Sequence, residues 1–198
     1  MNDTIKISKS TPRRKVPPHL VYKLKISLLD APYPIWRELL LDGTLTLRQA
    51  EICMLHCMQW TFSHLFDIEV NGKRYSKDEE FIDECDGELD TKHTLDEVFR
   101  NKPIGILTYD YGDSWTHEII VEEILHDSTL PTPYCIAGQG ACPPEDCGGV
   151  WGFQDMLKNL EDPDSDEYEE LIEWLGGEFN PNDFDIKQVN KWKIYYRD

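Results

Sequence analysis

From Val21 to Leu29 apolar and polar residues alternate without a break, with Tyr22, Leu24, Ile26 and Leu28 on one side and Lys23, Lys25 and Ser27 on the other. Side chains of a strand point alternately to the two faces of its sheet, so this period of two predicts a half-buried β-strand. Ala31-Pro32-Tyr33-Pro34 then forces a turn. Proline fixes φ near −65° and has no N–H to give to a ladder, which suits a turn between strands. Ile35 to Leu41 returns as a second strand before Asp42-Gly43 breaks it, and the two are expected as a hairpin.

The period changes after Asp42-Gly43. Thr46 followed by Gln49 is a capping-box pattern, and Ala50, Cys53, Met54, Cys57 and Met58 recur at helical spacing, predicting one helix over about Leu47 to Gln59. Cys53 and Cys57 lie on its apolar stripe and read as small buried hydrophobes. Phe66, Ile68 and Val70 mark a third strand, and Asn71-Gly72 a tight hairpin into Arg74 and Tyr75. Asp78 to Asp90 holds eight acidic residues and no basic one, the pattern of a solvated loop or inserted excursion, with Cys85 an exposed thiol inside it.

Thr94 and Glu97 repeat the capping box ahead of a short helix, Leu95 to Arg100. Ile104 to Tyr111 and Trp115 to Leu125 read as a long hairpin turning at Gly112-Asp113. Trp151 to Leu160 and the acidic Ser165 to Leu175 read as helices, and Asn182 to Lys193 as a last short one with Phe184, Ile186, Val189 and Trp192 inward. Strands mixed with segregated helices indicate α+β. By analogy the first part suggests a β-grasp-like roll, a mixed sheet wrapping one helix, with a long hairpin and added C-terminal helices. The length of 198 residues suits a single domain over residues 19 to 198.

Charge narrows the function. The net charge is −18, yet the first fifteen residues hold Lys6, Lys9, Arg13, Arg14 and Lys15 against Asp3 alone, so residues 16 to 198 carry 15 basic and 37 acidic side chains. Residues 1 to 18 read as a basic, disordered arm, and the remainder repels phosphate, which disfavours direct nucleic-acid binding. No run approaches the ~18 apolar residues of a membrane span, and no apolar segment follows the basic residues as in a signal peptide. The six cysteines form no CxxC pair and are read as reduced core fillers or metal ligands of a cytosolic protein.

Cys142-Pro143-Pro144-Glu145-Asp146-Cys147-Gly148-Gly149 places thiols, carboxylates, fixed φ angles and unrestricted ones in eight residues. Two readings compete for it. In one, the loop is a clasp that pins the C-terminal helices to the roll, with Glu145 and Asp146 capping the helix after Gly149. In the other, it closes a pocket lined by Trp36, Trp60, Tyr109, Tyr111, Trp115 and Trp151. His64, Asp110, Asp113, His117, Cys142, Glu145 and Asp146 are the candidate ligands of a divalent metal there, zinc or manganese by donor type. Against this, His117 shares a face with Trp115, Ile119 and Val121 and reads as a semi-buried histidine held by a carboxylate. Asp110 and Asp113 could equally bond the N–H groups of their own turn.

Several stretches together resemble the plasmid pRiA4b Orf3-like family: Trp36-Arg37; Trp60, His64-Leu65 and Phe66; Tyr109 to His117; Gly140 to Gly149; Trp174-Leu175-Gly176; and Phe179-Asn180-Pro181. The resemblance covers roughly residues 19 to 192. It implies an α+β roll, found on plasmids, in mobile elements and on chromosomes, with no agreed biochemical activity. Cys147 stands where the family commonly has an aliphatic residue, and no serine nucleophile among arginines supports the resolvase label some members carry.

No nucleophile-and-base arrangement or phosphate-cradling loop is visible. The expected function is therefore a non-catalytic module that binds a protein or small-molecule partner. A metal-dependent hydrolase using His64, His117 and nearby carboxylates is the alternative, and a DNA-mobility accessory factor or DNA mimic a third.

Overall fold

The computed structural model describes residues 20–191 except Ser128. The arm expected over residues 1–18 and the inward Trp192 lie outside the described residues.

Eight strands form one open sheet: β1 Val21–Leu28, β2 Trp36–Asp42, β3 Phe66–Val70, β4 Lys73–Ser76, β5 Glu88–Leu89, β6 Ile104–Tyr109, β7 Trp115–Leu125 and β8 Tyr134–Gln139. Their order across the sheet is β5-β4-β3-β6-β7-β1-β2-β8. Among the described residues only β4 and β5 run parallel; the other neighbours are antiparallel. The alternation in β1 sets the geometry: Tyr22, Leu24 and Ile26 have no exposed surface, while Lys23 on the opposite face pairs with Glu38 at 3.2 Å and Glu122 at 2.8 Å. Burying a Leu or Ile contributes about 1.5–3 kcal/mol, whereas such surface ion pairs contribute about 1 kcal/mol or less, so the apolar face decides the register.

Helix α1, Leu47–Cys57, covers that apolar face with Ala50, Cys53, Met54, Leu55 and Cys57 fully buried. Its capping box is closed: the Gln49 amide donates to Thr46 Oγ1 at 3.2 Å and the Thr46 amide to Gln49 Oε1 at 3.0 Å. The structure is α+β, with five further helices among the described residues: α2 Glu79–Cys85, α3 Leu95–Phe99, α4 Gly149–Asn159, α5 Asp166–Leu175 and α6 Ile186–Val189. Among the described residues no helix is long and apolar enough to cross a membrane.

Three expectations need correction. The acidic stretch from Asp78 is ordered, carrying α2, β5 and a 3₁₀ turn at Asp90–Lys92. Acids suit this helix start: Asp78 Oδ1 accepts from the Phe81 amide at 3.1 Å, and Glu79 and Glu80 in the first turn complement the helix dipole. The strand expected to reach Tyr111 ends at Tyr109, because Asp110 turns the chain with φ of 58°. β8 is a strand the sequence did not announce. Cys85 is exposed, as expected.

Arg37 fastens these parts together. Its guanidinium is fully buried and all five of its N–H donors are used. Nε donates to the Cys57 carbonyl at 2.9 Å, Nη1 to Trp36 O at 2.8 Å and Gln139 O at 2.7 Å, and Nη2 to Gly140 O at 2.9 Å and Cys142 Sγ at 3.4 Å. One side chain on β2 therefore joins the end of α1, the end of β8 and the start of the Pro-rich loop.

Candidate functional site

The loop from Gly140 to Gly149 is held at three points. Arg37 holds its start. In the middle, Glu145 Oε1 accepts from the Thr61 amide at 2.6 Å, Thr61 Oγ1 at 2.8 Å and the Tyr109 hydroxyl at 3.0 Å. At its end the Gly148 amide donates to Asp113 Oδ2 at 3.1 Å. Gly149 fits this contact for two reasons. Its φ is 67°, and a Cβ there would sit 2.7 Å from the Asp113 carbonyl oxygen. The expected capping of α4 by Glu145 and Asp146 does not occur: Gly148 is the N-cap, with no side-chain bond, and Glu145 faces the segment after α1.

This clasp sets carboxylates around one imidazole. His64 Nδ1 lies 3.6 Å from Asp110 Oδ1, and Nε2 lies 3.2 Å from Asp146 Oδ1 and 3.8 Å from Glu145 Oε2. Asp110 is aimed by its turn, since its Oδ1 also accepts from the Gly112 amide at 2.9 Å and its own amide donates to Leu65 O at 2.9 Å. Asp146, with φ of 57°, projects from the loop into solvent. One ligand atom from each of His64, Asp110 and Asp146 lies within 4.8 Å of the other two. Ligands of one tetrahedral ion at bonds of about 2.0–2.2 Å stand about 3.3–3.6 Å apart, so the three groups would have to draw together by up to about 1.3 Å to hold zinc. His64 Nε2 is shielded from water yet has no aligned hydrogen bond, despite its nearness to Asp146.

The other expected ligands lie apart. His117 is fully buried, with Nδ1 3.2 Å from Leu107 O and Nε2 3.3 Å from Trp60 Nε1. The indole can only donate, so Nε2 accepts and Nδ1 carries the proton; both ring nitrogens are occupied. Burial holds its pKa down at about 4. Its partners are a carbonyl and an indole where a carboxylate was expected. Cys142 is the acceptor of Arg37, and burial pushes its thiol up to about 11, which keeps it protonated near neutrality. Asp113 is spent on Gly148.

The six aromatics do not surround one pocket. Trp60, Tyr109 and Trp115 stack in the core, with Trp60 5.1 Å from Tyr109 and 5.7 Å from Trp115. Trp36 lies under Lys25 on the opposite sheet face, Tyr111 stacks on Phe81, and Trp151 is 79% exposed. A cleft of about 540 Å³ lies elsewhere, between Tyr33, Leu157, Lys158 and Phe179. The residues that sequence reasoning missed are Thr61 and the full reach of Arg37. Both act through partners distant in sequence, and no local spacing signals them.

An open α+β sheet whose clasp loop gathers a histidine and carboxylates defines the class of protein. The chain belongs to the plasmid pRiA4b ORF-3-like protein family, whose model matches residues 20–188. It is 30% identical over 177 residues to the uncharacterized protein y4hQ of Sinorhizobium fredii, covering 86% of this chain and 89% of that one. It is also similar to the crystal structure of MM3350, a protein of unknown function from Methanosarcina mazei Go1. There the TM-score is 0.77 at 31% identity, covering 87% of this chain and 98% of that one.

Proposed function

We propose that this protein is a non-catalytic binding module in which His64, Asp110 and Asp146 hold one divalent cation, zinc or manganese, and so lock the Gly140–Gly149 clasp in the form a partner recognises. The observation that carries this is the approach of three ligand atoms, from three segments far apart in sequence, to within 4.8 Å of one another. An imidazole and two carboxylates suit these ions, and the exposed Asp146 leaves one side of the ion open to a donor from a protein or small molecule. The six free cysteines accord with a reducing compartment such as the cytoplasm.

The hydrolase reading is the weaker one because it needs His117 as a second ligand or base, and that imidazole is buried with both nitrogens engaged. The acidic surface likewise weighs against direct contact with nucleic acid, though it leaves room for a role beside a DNA-binding partner.

Thermal unfolding of chelator-stripped protein, with and without zinc or manganese, tests the proposal. A cation at 100 times its Kd should stabilise the fold by about 2.7 kcal/mol, and His64→Ala should lose the effect. No stabilisation of the wild type by either ion would sink the proposal.

A further inference from the structure

A second cluster of charged groups lies away from the clasp, between α1 and the 3₁₀ turn at Asp90–Lys92. Glu51 and Asp90 are both fully buried, and none of their four carboxyl oxygens has an aligned hydrogen-bond donor among the described residues. The nearest cation is Arg48, whose Nη1 lies 3.6 Å from Asp90 Oδ2, and whose guanidinium is spread over the Phe66 ring at 3.6 Å. Arg48 can balance one carboxylate, and two are present. Desolvated carboxylates sharing a site cannot both stay ionised, because burial and mutual repulsion each favour the neutral form of one of them.

We propose that Glu51 and Asp90 form a buried proton-binding site, in which a single proton held between the two carboxyls at neutral pH fastens the 78–94 segment onto α1. The proton sits on Glu51 and points at Asp90, which stays ionised against Arg48. That arrangement makes the cluster neutral and supplies one hydrogen bond between the two carboxyls where none of the four oxygens otherwise has a donor. Every charged group facing the pair is consistent with it. Asp67 of β3 adds repulsion to Glu51, while Lys77 and the Thr91 amide favour the ionised form of Asp90. Asp67 is itself offset by Arg74 and Tyr111. Burial first and the Asp90 charge second push Glu51 well above the usual carboxylate range. The position matters for docking. Around it the Leu47 amide donates to His93 O at 2.8 Å and Leu95 N to Leu45 O at 2.9 Å, so the excursion meets α1 at this corner.

The test is carboxyl-carbon NMR on the full chain, with urea unfolding of wild type and Glu51→Gln alongside. One resonance assigned to Glu51 or Asp90 should keep the chemical shift of the acid form at pH 7. The unfolding constant of the wild type, relative to Glu51→Gln, should rise with pH above about 4.5, by up to tenfold per unit, because only the wild type must hold a proton that its unfolded chain releases. If Glu51→Gln does not fold, the wild-type spectrum decides alone. Both carboxyls ionised at pH 7, or a ratio that stays flat from pH 5 to 8, overturns the proposal.

Discussion

Arg37 Nη2 donates to the Gly140 carbonyl across 2.9 Å, and this bond ties the second strand of the chain to the first residue of a clasp more than a hundred positions away. The same guanidinium closes on the Cys57, Trp36 and Gln139 carbonyls, so the clasp inherits its position from the core.

Arg37→Lys therefore should not behave as a conservative change. An ammonium offers three donors from one point, and several buried carbonyls would be left without partners at about 1–3 kcal/mol each. The expected loss is about 3 kcal/mol or more by urea denaturation. A loss below about 1 kcal/mol would show that the network is not holding the fold.

Glu145→Ala should loosen the middle of the clasp without unfolding the sheet. Thr61 and Tyr109 lose a shared acceptor in a partly solvated place, a cost of about 1–2 kcal/mol. Hydrogen exchange should speed up at the Thr61 amide and across residues 145–149, while β1 and β7 amides keep their protection.

Much of this was legible in sequence and part of it was not, for physical reasons. The alternation of Tyr22, Leu24 and Ile26 and the capping boxes at Thr46 and Thr94 are local signals, and each reappears in the structure. α2 was hidden because eight acids leave no apolar period, although the same acids favour its N-terminus. β8 was hidden because Pro131 and Pro133 precede it, Gly138 lies within it and Gly140 follows it, so the strand is defined by pairing with β2. His64, Asp110 and Asp146 were named among seven candidate ligands, but which of the seven meet depends on the turn at Asp110 and the hold of Glu145 on Thr61. Those are tertiary facts. The buried pair Glu51 and Asp90 gave no signal at all, since a glutamate beside a helical apolar stripe ordinarily faces water.

His117 predicts a limb of the pH profile. Its pKa is about 4 in the fold and about 6.5 in an unfolded chain, so between these values the unfolded state binds the extra proton. Stability is full above about pH 6.5 and falls as pH drops towards 4, by about 3 kcal/mol in all. His117→Gln should flatten this limb in a series of thermal melts from pH 4 to 7; an unchanged slope would assign it to other groups.

Two glycines separate strain from crowding. Gly72 has φ of 77° with open space around it, so Gly72→Ala should cost only the left-handed backbone penalty, about 1–2 kcal/mol. Gly149→Ala adds a Cβ at 2.7 Å from the Asp113 carbonyl oxygen and must shift the clasp as well. It should destabilise more than Gly72→Ala in denaturant unfolding; equal costs would mean that the loop yields freely.

The central claim is that the clasp completes a cation site on His64 and Asp110 by bringing Asp146 to them. Calorimetric titration of chelator-stripped protein with manganese, comparing wild type and Asp146→Asn, tests it most directly. Asp146 is exposed and makes no structural hydrogen bond described in the clasp, so the variant should fold normally. The account predicts one ion per chain for the wild type and an affinity at least tenfold lower for Asp146→Asn, a loss of about 1.4 kcal/mol or more. Equal binding by the two proteins, or none by the wild type, would contradict it.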